Sequence, residues 1–168
     1  MILVLMGVTA SGKTTIGTRL AAAEHWEYAE GDDYHSDANK AKMHAGIPLT
    51  DEDRAPWLAS LHDVLLGWYR SGTSGVLACS ALKQAYRDEL SAGIPGTALH
   101  FVLLEVSREI LEQRLAARKN HYMSPALLDS QIATLETPRD AIHVAADRTP
   151  DEAVREIMDA VRAAESHP

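Results

Sequence analysis

Residues 2 to 6 are continuously apolar and are followed at once by Gly7, the pattern of a central parallel strand buried on both faces that ends in a turn. From Lys13 to about His25, good helix formers including Arg19, Leu20, Ala21, Ala22 and Ala23 predict a first helix. Trp26 to Ala29 reads as a short strand running into the acidic stretch Glu30-Gly31-Asp32-Asp33. Thr50 with Asp53 three residues on marks a helix start, and Trp57, Leu58, Leu61, Val64, Leu65 and Trp68 recur at helical spacing as far as Ser71-Gly72. Val76 to Cys79 and Leu99 to Leu104 are two further apolar strands, each preceding a helical pattern, at Leu82 to Leu90 and Arg108 to Arg118. Ser124-Pro125 opens another helix to about Leu135, and Ala141 to Ala145 reads as a last strand. Thr149-Pro150-Asp151-Glu152 is a capping box ahead of an apolar stripe of Val154, Ile157, Met158 and Val161. Strands alternating with helices predict an α/β fold with a mostly parallel five-stranded sheet flanked by helices.

The chain has 168 residues, 46% of them hydrophobic, which suits one domain over 1–168 with no internal repeat or linker. Cys79 is the one cysteine, so no intrachain disulfide forms. No Cys/His spacing suggests structural zinc, and a reducing, cytoplasmic setting is expected. No apolar run approaches the roughly 20 residues of a membrane span, and Met1 to Met6 is too short for a signal peptide and lacks a basic leader. A formal net charge of -8 supplies no general field for holding DNA or RNA. Any anion site must therefore be local, and the position of each Arg and Lys matters more than their number.

Such a local site is written into Gly7-Val8-Thr9-Ala10-Ser11-Gly12-Lys13-Thr14, which fits G-x-x-x-x-G-K-[ST] between a predicted strand and a predicted helix. Gly7 and Gly12 let backbone N–H groups from Thr9 to Thr15 converge on one point, toward which the following helix directs its positive end. Lys13 can reach the β and γ phosphates of a nucleoside triphosphate, and the Thr14 hydroxyl can ligate Mg²⁺. The fold expectation thereby becomes a P-loop three-layer sandwich. Ala10 is tolerable in this loop if its backbone does not need positive φ. No guanine-reading N/T-K-x-D is present, since Asn39-Lys40-Ala41-Lys42 lacks the acidic residue, so ATP is expected over GTP.

In a parallel α/β sheet, ligands gather beyond the carboxyl ends of the strands. There, Asp32 could orient an attacking hydroxyl and accept its proton, or simply occupy a solvated turn. Arg54, Lys83 and Arg87 could grip a substrate carboxylate, with surface charge an equally good account of each alone. Lys83 and Arg87 are four apart and would share one helical face. His35 could donate to a substrate hydroxyl or be a satisfied core or surface histidine. Arg114, Arg118, Lys119 and His121 could belong to a small helical lid over the triphosphate, about 118–135, or merely offset a helix C-terminus.

Further residues carry a resemblance. They are Glu30-Gly31-Asp32-Asp33-Tyr34-His35, Asn39, Lys42-Met43 and the run Gly46 to Leu58, then Ala78 to Lys83, Tyr86-Arg87-Asp88, Arg118 to Met123, Leu127-Leu128, Ser130-Gln131 and Leu135-Glu136-Thr137-Pro138. With the phosphate loop, the chain resembles the gluconokinase family of shikimate-kinase-like P-loop kinases from Gly7 to about Pro138. The resemblance implies Mg²⁺-dependent transfer from ATP to the 6-hydroxyl of D-gluconate by a cytosolic enzyme that is often a homodimer. It implies that Asp32 orients the acceptor, that Arg54, Lys83 and Arg87 hold the sugar acid on a helical segment at about 36–70 and beyond, that Arg118 and His121 come from the lid, and that Arg114 lies near adenine. Ala10, Glu30 in place of aspartate, Tyr34 and Tyr122 depart from the family pattern. The alternatives are another small-metabolite kinase on the same scaffold, such as a shikimate or nucleotide kinase, or a non-catalytic nucleotide-sensing module.

Overall fold

The computed structural model describes residues 1–118 and 125–166. Five strands, β1 (Ile2–Met6), β2 (Glu27–Glu30), β3 (Gly75–Ala78), β4 (Leu99–Glu105) and β5 (Ile142–Ala145), form one sheet in the order β2-β3-β1-β4-β5. All four pairings are parallel, with Val4 of β1 opposite Leu77 on one side and Phe101 on the other, so the expected mostly parallel sheet is wholly parallel among the described residues. Seven helices complete the described chain: α1 (Lys13–Glu24), α2 (Asp37–His44), α3 (Asp51–Ser71), α4 (Gln84–Ser91), α5 (Arg108–Ala117), α6 (Pro125–Thr134) and α7 (Pro150–Ser166).

The continuous apolar run of β1 follows from burial on both faces. Ile2, Val4 and Met6 pack with Trp57, Leu58, Leu61 and Leu65 of α3 and Leu90 of α4. Leu3 and Leu5 point the other way, into Ile16 and Leu20 of α1 and Ile157 and Val161 of α7, as the two-residue alternation of a strand requires. A smaller cluster of Val8, Ala10, Leu82, Leu111 and Leu128 seats α5 and α6 against the loop after β1.

Local signals set most boundaries. Thr50 and Asp53 form the reciprocal capping box of α3, and Gly72 ends that helix in the left-handed region. Thr149 and Glu152 exchange the same bonds ahead of α7. The Ser124 cap proposed for α6 lies outside the described residues. Two helix starts differ from expectation. Helix α2 is a separate element, capped by the Ser36 hydroxyl accepting from Asn39 N, and Gly46 at φ +75° follows its end ahead of Pro48 and α3. Helix α4 begins at Gln84 rather than Leu82, because Ala81 has φ +45° and Lys83 is extended.

Candidate active site

The loop after β1 and the first turn of α1 form the phosphate side. Gly7 adopts φ +140°, and a Cβ there would stand 3.1 Å from Leu104 O and 3.0 Å from Ser11 Oγ, so only glycine lets the chain leave β1 this closely against β4. Ala10 also has positive φ, at +63°, which overturns the condition on which alanine was expected to sit here without strain. Its carbonyl accepts from Arg114 Nη1 at 3.0 Å, while Arg114 Nη2 donates to Ala146 O at 2.6 Å. Arg114 thus ties the loop to the segment following β5. Lys13 Nζ donates to Gly7 O and Val8 O, both at 2.9 Å. Burial draws the Lys13 ammonium below its ordinary pKa, with the Asp32 charge the largest opposing influence.

Beside Lys13, the Thr14 hydroxyl donates to Glu30 Oε2 at 2.6 Å, and the Tyr28 hydroxyl donates to the same oxygen at 2.7 Å. Burial, then the Glu30 carboxylate, pushes the Tyr28 phenol above its ordinary range, so it stays a donor at neutral pH. Glu30 and Asp32 line one cavity with Thr14. Hydroxyl and carboxylate oxygens are the hard donors that Mg²⁺ takes. Among the described residues no cluster of three or more His, Cys, Asp or Glu side chains could cage a metal by itself. This combination fits a magnesium ion that shares its coordination with phosphates and water.

The acceptor side faces this set across the same cavity. Gly31 to Tyr34 form a single 3-10 turn that presents Asp32. The turn is pressed onto β3, since a Cβ on Gly31 would fall 2.5 Å from Ala78 O. Trp57 Nε1 donates to Gly31 O at 2.8 Å, fixing the turn to α3. His35 stacks on Trp57 with ring centroids 4.2 Å apart. Asn39 Nδ2 lies 3.3 Å from His35 Nδ1 and, being only a donor, makes Nδ1 the acceptor. The His35 proton is therefore on Nε2. Burial first, then the charge of Arg54, lowers the His35 pKa to about 4, so the ring is neutral near pH 7.

Arg54 lines the cavity and donates from Nη1 to the Tyr86 hydroxyl at 2.9 Å. Lys83 does not line it. Lys83 Nζ instead pairs with Asp51 at 3.0 Å, where the Tyr86 hydroxyl also donates. Arg87 is a clear departure from expectation. It is only 2% exposed and donates to Ala81 O at 2.7 Å, Leu82 O at 3.1 Å and Glu136 O at 2.8 Å, with further bonds to Gln84 Oε1. Its guanidinium braces the positive-φ turn at Ala81 and so is not presented to the cavity. Lys83, outside the helix, shares no helical face with it.

Arg118 reaches the cavity from the end of α5, and Leu127, Ser130 and Gln131 line it from α6. Gln131 Oε1 accepts from Thr9 N at 2.7 Å, so this amide, expected among those facing the phosphates, is instead taken up by α6. His121 and Lys119 lie outside the described residues. No site role was read from the sequence for Tyr28, Asn39, Trp57, Tyr86 or Gln131, whose contacts join segments distant in the chain.

The family described as AAA domain matches residues 2–138. The gluconokinase of Gluconobacter oxydans (strain 621H) is 45% identical over a stretch covering 93% of this chain and 88% of its own. A probable gluconokinase of Rattus norvegicus is 41% identical, covering 96% of this chain and 97% of its own. Among solved structures, a gluconokinase from Sinorhizobium meliloti 1021 matches with a TM-score of 0.87 and 39% identity, covering 98% of this chain and 93% of that one. Agreement of this extent, end to end and with the phosphate loop in its structural setting, means that the chain belongs to the gluconokinase family.

Proposed function

We propose that the chain catalyses transfer of the γ-phosphoryl group of ATP to the 6-hydroxyl of D-gluconate, giving 6-phosphogluconate and ADP. The observation that carries this reading is one cavity lined on one side by Lys13 and Thr14 and on the other by Asp32, His35 and Arg54. Loop amides and the α1 N-terminus would cradle the phosphates, with Lys13 exchanging its loop carbonyls for phosphate oxygens. Arg114 would border the nucleotide where the loop meets the segment after β5. Thr14, with the carboxylate of Glu30 beside it, would hold magnesium, which, when bound, offsets the charge of the phosphate oxygens.

On the acceptor side, Asp32 would align the attacking hydroxyl and take its proton as the new P–O bond forms and the bond to the ADP oxygen breaks. The Nε2–H of neutral His35 would donate to a sugar hydroxyl, and Arg54 would meet the carboxylate or a neighbouring hydroxyl. Arg118 and α6 are read as part of the lid, which excludes water as a competing acceptor. The local cations Lys13, Arg54 and Arg118 answer the repulsion expected between an acidic chain and two anionic substrates. A cytoplasmic homodimer belongs to the same proposal; among the described residues no helix is long and apolar enough to cross a membrane. Light scattering after gel filtration would show one species of twice the chain mass, and a monomer would remove the dimer.

ADP release with magnesium, measured against sugar acids, shikimate and nucleoside monophosphates, tests the reaction. Gluconate should give the highest kcat/KM, and a preference for any other class would replace the substrate. Asp32→Asn should keep ATP affinity while kcat falls by about 10² or more, the usual loss of a general base; an unchanged kcat would remove Asp32 from the reaction.

A further inference from the structure

We infer that Gln131 supplies a further hydrogen-bond donor to the phosphoryl group in transfer, its amide held in one orientation by the phosphate loop itself. The inference rests on the phosphoryl-transfer reading above. Helix α6 splits its residues between two environments. Leu128 and Ile132 pack against Val8, Ala10 and Leu111, while Leu127, Ser130 and Gln131 line the cavity. The apolar contacts therefore fix the rotation of the helix, and with it the side on which Gln131 emerges.

The Thr9 amide then fixes the end of the side chain. A backbone N–H can be satisfied only by an acceptor, so the atom 2.7 Å away is the amide oxygen, and no flipped arrangement makes this bond. Holding Oε1 on Thr9 N turns the NH2 group to the opposite side of a planar amide whose residue lines the cavity with Lys13, Asp32 and Arg118. Any group transferred from a nucleotide on the loop to a hydroxyl at Asp32 passes through this space. A preoriented N–H donor gains most where negative charge spreads over transferring oxygens, because it needs no reorganisation during the reaction. The arrangement also couples the two elements: the amide is aimed only while α6 stays docked on the loop.

Two substitutions separate donation from tethering. Gln131→Glu preserves the length and an oxygen for Thr9 N–H but removes both amide donors, whereas Gln131→Met removes both functions at similar volume. Each is assayed for kcat, for KM of ATP and gluconate, for ADP affinity by calorimetry and for thermal midpoint. Both variants should lose about 10²-fold or more in kcat, the scale of deleting one preorganised donor, with ADP affinity within about twofold of the wild type. Gln131→Glu should also keep the wild-type thermal midpoint. Wild-type kcat in Gln131→Glu, with loss only in Gln131→Met, would make Gln131 a tether and overturn the inference. Parallel losses of kcat, ADP affinity and thermal midpoint in both would do the same. A wild-type protein inert toward every acceptor would remove the reaction, and this role with it; turnover in the wild type with an unaffected Gln131→Glu would remove the role alone.

Discussion

Replacing Arg87 by alanine discriminates between what its position in the chain suggests and what the fold does with it. The side chain is 2% exposed, and its guanidinium donates to three backbone carbonyls, those of Ala81, Leu82 and Glu136. Each such bond contributes about 1 to 1.5 kcal/mol net, and a group left unpaired after truncation costs the same or more. Burial opposes the charge and draws the Arg87 pKa down, so part of the gain is offset by desolvation. The balance is a loss of about 3 kcal/mol, concentrated on a turn that carries an alanine in the left-handed region and on the segment just after α6. For a chain of 168 residues that lowers the thermal midpoint by about 6 to 12 °C. Urea unfolding followed by far-ultraviolet circular dichroism and by tryptophan fluorescence measures it. The gluconate KM near 20 °C should change far less than the stability. A loss below about 0.5 kcal/mol with a tenfold rise in gluconate KM would refute the bracing role and return Arg87 to the substrate.

Three further outcomes follow from single groups. His35 has a folded pKa of about 4, below the ordinary value of 6.5, so its contribution to stability is complete above pH 6.5 and is lost as pH falls through 4. Linkage makes this up to about 3 kcal/mol, and His35→Phe, which keeps a ring on Trp57, should flatten the acid limb of a denaturation series; an unchanged limb would contradict the assignment. His143 behaves oppositely, because Glu105 and then the Pro138 carbonyl raise its pKa; its contribution is complete below pH 6.5 and fades as pH rises through the folded value. The pair is partly exposed and worth under about 1 kcal/mol, and His143→Gln should remove a small stability decline above neutrality, detectable by difference from the wild type. Gly31→Ala, which places a methyl 2.5 Å from Ala78 O, should cost about 1 to 3 kcal/mol and depress kcat by shifting Asp32; wild-type melting and turnover together would refute the close approach.

What could be read in the sequence was what neighbouring residues decide. The β1-loop-α1 unit, the Thr50/Asp53 and Thr149/Glu152 boxes and the apolar stripe of α7 each lie within a few turns of chain, where periodicity and capping chemistry act. Arg87 was misread because spacing from Lys83 presumes a helix through both, whereas Ala81 and Lys83 lie outside α4 and Glu136 is 49 residues away. Ala10 gave no local sign of positive φ, since its carbonyl is held by Arg114, 104 positions on. The tie between Thr9 and Gln131 spans 122 residues and exists only once α6 docks. Asp32, His35 and Arg54 fall between these cases: composition marked them as candidates, while the Trp57 stack and the Gly31 approach determine how they face the phosphate loop.

The central claim is that the terminal hydroxyl oxygen of a sugar acid receives the phosphoryl group in the cavity between Lys13 and Asp32. Proton-coupled phosphorus NMR of the product from magnesium, ATP and gluconate tests it directly. The account predicts one new phosphomonoester whose phosphorus couples to the two protons of a terminal CH2, formed in step with ADP. Inorganic phosphate alone, or an ester whose phosphorus couples to a single carbinol proton, would contradict it.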